Sequence, residues 1–140
     1  MTLGIQKGKM RVVASIEARM NSDRLPGKVL SDIHCRPALS RLISRLKNSR
    51  MIDDVVLATT TKKNDDVLEE WAAKEGINCY RGSEDDVLGR VVAAHKYMET
   101  DLVVEVTGDS VLLDPEVIDL GIETYLANNC DVVSNTWKPS

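Results

Sequence analysis

Apolar residues along this chain fall into two alternating patterns. Short, nearly continuous runs at residues 10–16 (MRVVASI), 53–60 (DDVVLATT), 77–80 (INCY), 101–107 (DLVVEVT) and 131–134 (DVVS) read as strands, the longer ones buried on both faces. Between them apolar positions recur at helical spacing. The first set is Leu39, Leu42, Ile43 and Leu46, within residues 37–49; the second is Val67, Leu68, Trp71 and Ala72. The third is Val87, Leu88, Val91 and Val92, expected to face the core, and the fourth is Ile118, Ile122, Tyr125 and Leu126. Boundary residues agree with this division. Pro37 suits a first helical turn, Asn64 can cap the second helix, and Gly76 stops it. Ser83 precedes three acids that suit the first turn of the third helix, and Asp114-Pro115 caps and starts the fourth. The order β-α-β-α-β-α-β-α-β predicts an α/β fold with a mostly parallel sheet covered on both faces. Residues 10–140 form one domain in this reading, and residues 1–9 a disordered leader.

Composition narrows the class. With 43% hydrophobic and 29% charged residues the chain is an ordinary globular one, and with no Phe and 4% aromatics its core must be aliphatic. No apolar run approaches the length of a membrane-spanning helix, so no membrane partner is expected. Three widely spaced cysteines without a CxxC disfavour a zinc site or disulfide framework and fit reduced thiols in a cytoplasmic protein. Charge is uneven. Residues 1–50 hold 11 Lys+Arg and 3 Asp+Glu, a balance of +8; residues 51–140 hold 7 and 19, a balance of −12. A basic amino-terminal part within an acidic chain suits a small, multiply charged anion better than nucleic acid. Arg41, Arg45, Lys47 and Arg50 read as charges that solvate one helix.

The chemistry concentrates at three strand ends, which a parallel sheet brings to one edge. The first strand empties into EARMNSDRLPGK (17–28), where Arg19, Arg24 and Lys28 accompany a Leu25-Pro26-Gly27 turn. This loop is either a phosphate cradle or a solvated surface loop. The second end is Thr59-Thr60-Thr61. The third is Thr107-Gly108-Asp109, where Asp109 is either a turn residue or a carboxylate for Mg²⁺ riding on a nucleotide phosphate. Gly27-Lys28 is followed by Val29, and GxGxxG is absent, which disfavours a P-loop ATPase and a dinucleotide-binding enzyme. His34 reads as a loop residue and His95 as a helix-surface residue, neither with a nucleophile partner.

Three stretches together resemble a known family. ARMNSDRLPGK (18–28) resembles the ARxxSxRLPGK signature of sugar-activating nucleotidyltransferases, and RGSEDDVLGR (81–90) and TGDSVLLDP (107–115) resemble the motifs that follow it. The resemblance is to cytidylyltransferases of the spore-coat polysaccharide biosynthesis protein F type and, more distantly, to CMP-sialic-acid and CMP-Kdo synthetases. It runs from about residue 10 to the end and implies the amino-terminal portion of a three-layer α/β/α nucleotide-diphospho-sugar transferase fold. The implied reaction transfers CMP from CTP to a sugar with release of pyrophosphate, in spore-coat or cell-surface polysaccharide synthesis, with Mg²⁺ as cofactor. The implied partners are CTP and a sugar or sugar acid; the oligomeric state stays open, a homodimer being one alternative. Arg19 and Lys28 match the catalytic phosphate ligands, with Ser22 and Arg24 in the same loop, and Asp109 matches the metal ligand. Ala18, Thr59, Thr60 and the segment from Gly82 to Arg90 would complete the nucleotide pocket. The sequence departs from the pattern at Val111, where the family has Pro, and at Asp23, an extra acid in the phosphate loop. A shortened, non-catalytic nucleotide-binding or scaffolding module is the alternative.

Overall fold

The computed structural model describes Met10–Thr136; residues 1–9, expected to be a leader, and the last four lie outside the described residues. Four strands alternate with four helices: β1 (Val12–Glu17), α1 (Ala38–Leu46), β2 (Asp54–Thr60), α2 (Asp66–Glu75), β3 (Asn78–Gly82), α3 (Val87–Tyr97), β4 (Leu102–Thr107) and α4 (Pro115–Ala127). All strand pairs are parallel, in the order β3-β2-β1-β4. β1 pairs with β2 from Val13↔Asp54 to Glu17↔Ala58, and with β4 from Val12↔Leu102 to Glu17↔Thr107. The carboxyl ends of the central strands therefore lie side by side.

The continuous apolar runs of β1 and β2 reflect cover on both faces. One face, carrying Ala14, Ile16, Val55 and Leu57, packs on α1 and α2. Leu39, Leu42, Ile43 and Leu46 of α1 are all within 1% of full burial, and burial of each such side chain is worth about 1.5–3 kcal/mol. Ile122 of α4 extends this layer over Val12 and Leu102. The other face, carrying Val13, Val56 and Ala58, meets Ala94 and Met98 of α3. The result is a three-layer α/β/α arrangement, with α1, α2 and α4 on one side and α3 on the other.

Several expectations are corrected. Residues 131–134 form no strand; Val132 is 78% exposed and the segment is irregular. The second helix begins at Asp66 after a short 3₁₀ turn, Lys63–Asp65, so Asn64 is not its cap, and Val67 is 40% exposed. In α3 only Val91 of the four expected apolar residues is buried; Leu88 is 74% exposed. The buried stripe is Arg90, Val91, Ala94, His95 and then Met98. His95 is consequently an interior residue, its Nδ1 3.0 Å from Thr100 Oγ1, and burial lowers its pKa against the raising charge of Glu105. The three acids expected in the first turn of α3 precede it, and Asp86 is its cap, accepting from the Gly89 N–H at 2.8 Å.

A nucleotide-sized cleft at the strand ends

The β1–α1 loop folds back on itself through Gly27. Its N–H donates to the Met20 carbonyl at 2.8 Å, and its φ of 72° is one that a side chain would strain. The Leu30 N–H in turn donates to the Gly27 carbonyl at 3.1 Å, closing the 3₁₀ turn Lys28–Leu30. Val29 is buried in this turn, so its neighbour Lys28 is left facing the strand ends.

The start of the loop is pinned by a residue the sequence reading missed. Asp65, 3% exposed, accepts from the Met20 N–H at 2.7 Å through Oδ1 and from the Thr60 hydroxyl through Oδ2. Its signal in the sequence is faint: an Asp just before a helix reads as an ordinary cap. On the far side, the Gly108 N–H donates to the Glu17 carbonyl at 2.9 Å. A Cβ at Gly108 would stand 2.9 Å from that same oxygen, so only glycine lets the β4–α4 loop lie against the end of β1.

Between these loops lies a cleft of about 600 Å³. Ala18, Arg19, Ser22, Arg24 and Lys28 line one wall, Glu84, Asp85 and Arg90 another, and Gly108 and Asp109 a third. Lys28 Nζ is 2.8 Å from Asp109 Oδ2, so the basic loop and the acid meet across the cleft. Arg19 Nη1 lies 3.4 Å from Glu84 Oε1, and Lys62 Nζ is 3.4 Å from the other oxygen of the same carboxylate. Arg90 is 5% exposed; its Nη1 donates to the Ser83 carbonyl at 2.6 Å, and its Nε has no partner. Thr59 and Thr60 are fully buried and Gly82 ends β3; none of the three is on the cleft wall. Thr60 acts behind it, through Asp65.

Glu17 adds an acid that the sequence reading left unassigned. Burial, a hydrogen bond with Glu105 and the charge of Glu105 raise its pKa to about 7, against the lowering charge of Arg90. The parallel pairing of Glu17 with Thr107 sets Glu105 diagonally across on the same face of the sheet. Among the described residues no group of three His, Cys, Asp or Glu converges to hold a metal. Asp109 offers one hard-oxygen donor, which suits a cation that takes its remaining ligands from phosphate and water.

A family profile described as cytidylyltransferase matches residues 13–140. The chain belongs to the cytidylyltransferase family. It is 37% identical over 120 residues to the spore coat polysaccharide biosynthesis protein SpsF of Bacillus subtilis, covering 83% of this chain and 50% of that protein. The structure of a cytidylyltransferase from Leptospira borgpetersenii superposes with a TM-score of 0.81 at 39% identity, over 85% of this chain and 50% of that one. A CMP:2-keto-3-deoxy-manno-octonic acid synthetase solved in complex with CTP shares the fold, with a TM-score of 0.72 at 22% identity over 84% of this chain and 48% of that one. This cytidylyltransferase chain thus spans about half the length of the relatives it matches.

Proposed function

We propose that the cleft binds the triphosphate of CTP and that the chain supplies the nucleotide-binding half of an enzyme that joins CMP to a sugar. The observation that carries this reading is the 2.8 Å meeting of Lys28 and Asp109 across a cleft whose basic wall also holds Arg19 and Arg24. A triphosphate entering there takes Lys28 onto its phosphate oxygens and leaves the Asp109 carboxylate for a divalent cation, Mg²⁺ by its preference for hard oxygen ligands. The cation would supply neutralisation of phosphate charge. Arg19, Arg24 and Lys28 hold the phosphates in place and stabilise the charge that gathers as a sugar oxygen attacks the α-phosphorus and pyrophosphate leaves. Ala18, Ser22 and Arg90 complete the wall, while Thr59, Thr60 and Gly82 act by shaping the strand ends behind it. A sugar or sugar acid is the acceptor, and polysaccharide synthesis, with Mg²⁺ and a cytoplasmic setting, is the process it fits.

Calorimetric titration of CTP in magnesium buffer tests the reading. A cation about 4 Å from a phosphate oxygen contributes up to roughly 4 kcal/mol before desolvation. Lys28→Ala is therefore expected to weaken CTP by roughly tenfold or more, a loss of about 1.4 kcal/mol or above, while the exposed Arg50→Ala leaves it unchanged. Equal affinity in parent and Lys28→Ala would remove the assignment. A second reading, a nucleotide-binding module without catalysis, keeps the same cleft and the same ligand. Pyrophosphate release from CTP in the presence of candidate sugars separates the two: binding without release favours the module.

A further inference from the structure

A second concavity, of about 460 Å³, lies outside the nucleotide cleft, between α1 and the segment that leads into α4. Its size falls within the range of small-molecule sites. Three arginines line it: Arg36, Arg41 and Arg45. Arg41 and Arg45 are one helical turn apart on α1, so they stand on one face. The remaining surface includes Ile33 and Leu112, 42% and 81% exposed, so the groove joins a basic side to an apolar one.

None of the three is ion-paired, a state they share with Arg24, Arg90 and four lysines among the described residues; what sets them apart is that all three line one groove and no acid lines it with them. Arg11, Arg19, Lys28, Arg50, Lys62 and Arg81 each sit within 4.0 Å of a carboxylate oxygen. Among the described residues Arg36, Arg41 and Arg45 have no such partner, in a chain where acids outnumber bases 22 to 18. They are nonetheless held in place. Arg41 donates to the carbonyls of Ile33, at 3.0 and 3.2 Å, and His34, at 2.7 Å. Arg45 donates to the Leu113 carbonyl at 3.2 Å, and Arg36 to Ser44 Oγ at 3.1 Å. A guanidinium has five N–H donors, so each keeps some unused. Three like charges fixed on one groove without a counter-charge repel one another, and an anion relieves that repulsion. Guanidinium groups match phosphate and carboxylate oxygens in pairs of parallel hydrogen bonds.

We propose that this groove is a second binding site, for a small organic anion that carries a phosphate or carboxylate on an apolar body. The charged end meets Arg36, Arg41 and Arg45, and the body lies against Ile33 and Leu112. The site stands apart from the nucleotide cleft: the β4–α4 loop gives Gly108 and Asp109 to the cleft, and Val111 and Leu112 to the groove.

Phenyl phosphate is the probe, followed by amide chemical shifts of the ¹⁵N-labelled chain, with inorganic phosphate and benzyl alcohol as partial probes. Phenyl phosphate is expected to move the amides of Ile33, Val111 and Leu112 saturably, inorganic phosphate to move the same amides more weakly, and benzyl alcohol to bind weakest. Arg36→Gln/Arg45→Gln is expected to bind phenyl phosphate roughly tenfold more weakly, since hydrogen bonds to a charged group are lost. Lys28→Ala is expected to bind it as the parent does. The amide spectrum itself reports whether each variant is folded, and Arg36→Gln alone, at an exposed position before α1, gives a milder step in the same direction. The proposal is overturned if the shifts fall on the nucleotide cleft, if the double variant binds as tightly as the parent, or if phenyl phosphate shows no saturation by about 10 mM.

Discussion

At the scale of single residues, the Glu17–Glu105 pair gives a pH dependence with a definite sign. Glu17 titrates near 7 in the folded chain, above its ordinary value of 4.5. The folded state therefore holds a proton that the unfolded state has released. The pair's contribution is full below the unfolded pKa and is lost as pH rises through about 7. Thermal unfolding followed across that window should show Tm falling with pH in the parent and a flatter profile in Glu105→Gln, which keeps the hydrogen bond but removes the charge. An unchanged slope in Glu105→Gln would detach the effect from this pair. Asp119 acts in the opposite window. Burial raises its pKa, but hydrogen bonds from Ser49, Arg50 and Met51 outweigh that and hold it below the ordinary aspartate value, so its contribution is lost as pH falls through the depressed pKa. The meeting of Lys28 and Asp109 was legible in the sequence because Lys28 closes the loop that follows β1 and Asp109 stands two residues after β4. Asp65 and the Glu17–Glu105 contact were not, because each depends on strand pairing or on a neighbour 40 or more residues away.

At the scale of elements, one buried acid ties α4 to the loop between α1 and β2, beside the apolar contacts of Ile122. Asp119, 3% exposed, accepts from the Ser49 hydroxyl and from the backbone N–H groups of Arg50 at 3.1 Å and Met51 at 3.3 Å. Asp119→Ala leaves those donors without an acceptor and should cost about 2–4 kcal/mol in urea unfolding. α3 offers a contrast. Its sequence carries two overlapping stripes, Val87-Leu88-Val91-Val92 and Arg90-Val91-Ala94-His95, and hydropathy favours the first. The fold buries the second, since Arg90 reaches the cleft and His95 meets Thr100. Leu88→Glu should consequently change stability by no more than about 0.5 kcal/mol, whereas Leu68→Ala, at a fully buried position of α2, should cost about 2–5 kcal/mol. Helices α1, α2 and α4 and strands β1, β2 and β4 were legible from periodicity alone because each follows a single stripe or run. The segment at residues 131–134 was not, because its apolar pair has the composition of a strand and yet pairs with no strand of the sheet.

For the whole molecule, the cover is uneven. Layer order and parallel topology follow from the alternation of strands and helices, and the sequence states both. What it does not state is that, among the described residues, α3 stands alone on its face. Val103, Glu105 and Thr107 of β4 are exposed on that side, and β4 has no strand on its outer edge among the described residues. Native-state hydrogen exchange should find the amides of β1 protected to near the global stability and alternate amides of β4 exchanging much faster. Uniform protection along β4 would mean that something covers the edge in solution.

The ion pair between Lys28 and Asp109 also sets the terms on which a ligand can arrive. Before any nucleotide enters, the aspartate is already compensated by the chain's own ammonium, so the mouth of the cleft does not repel polyanions as a bare carboxylate would. Under the proposed function, capture would be a swap of partners: the lysine would trade one anion for another, and the released acid would open to a metal only once a phosphate is present to share it. On the same proposal, a cation without nucleotide would have to compete with the lysine for that oxygen, which would favour uptake of the two as one complex.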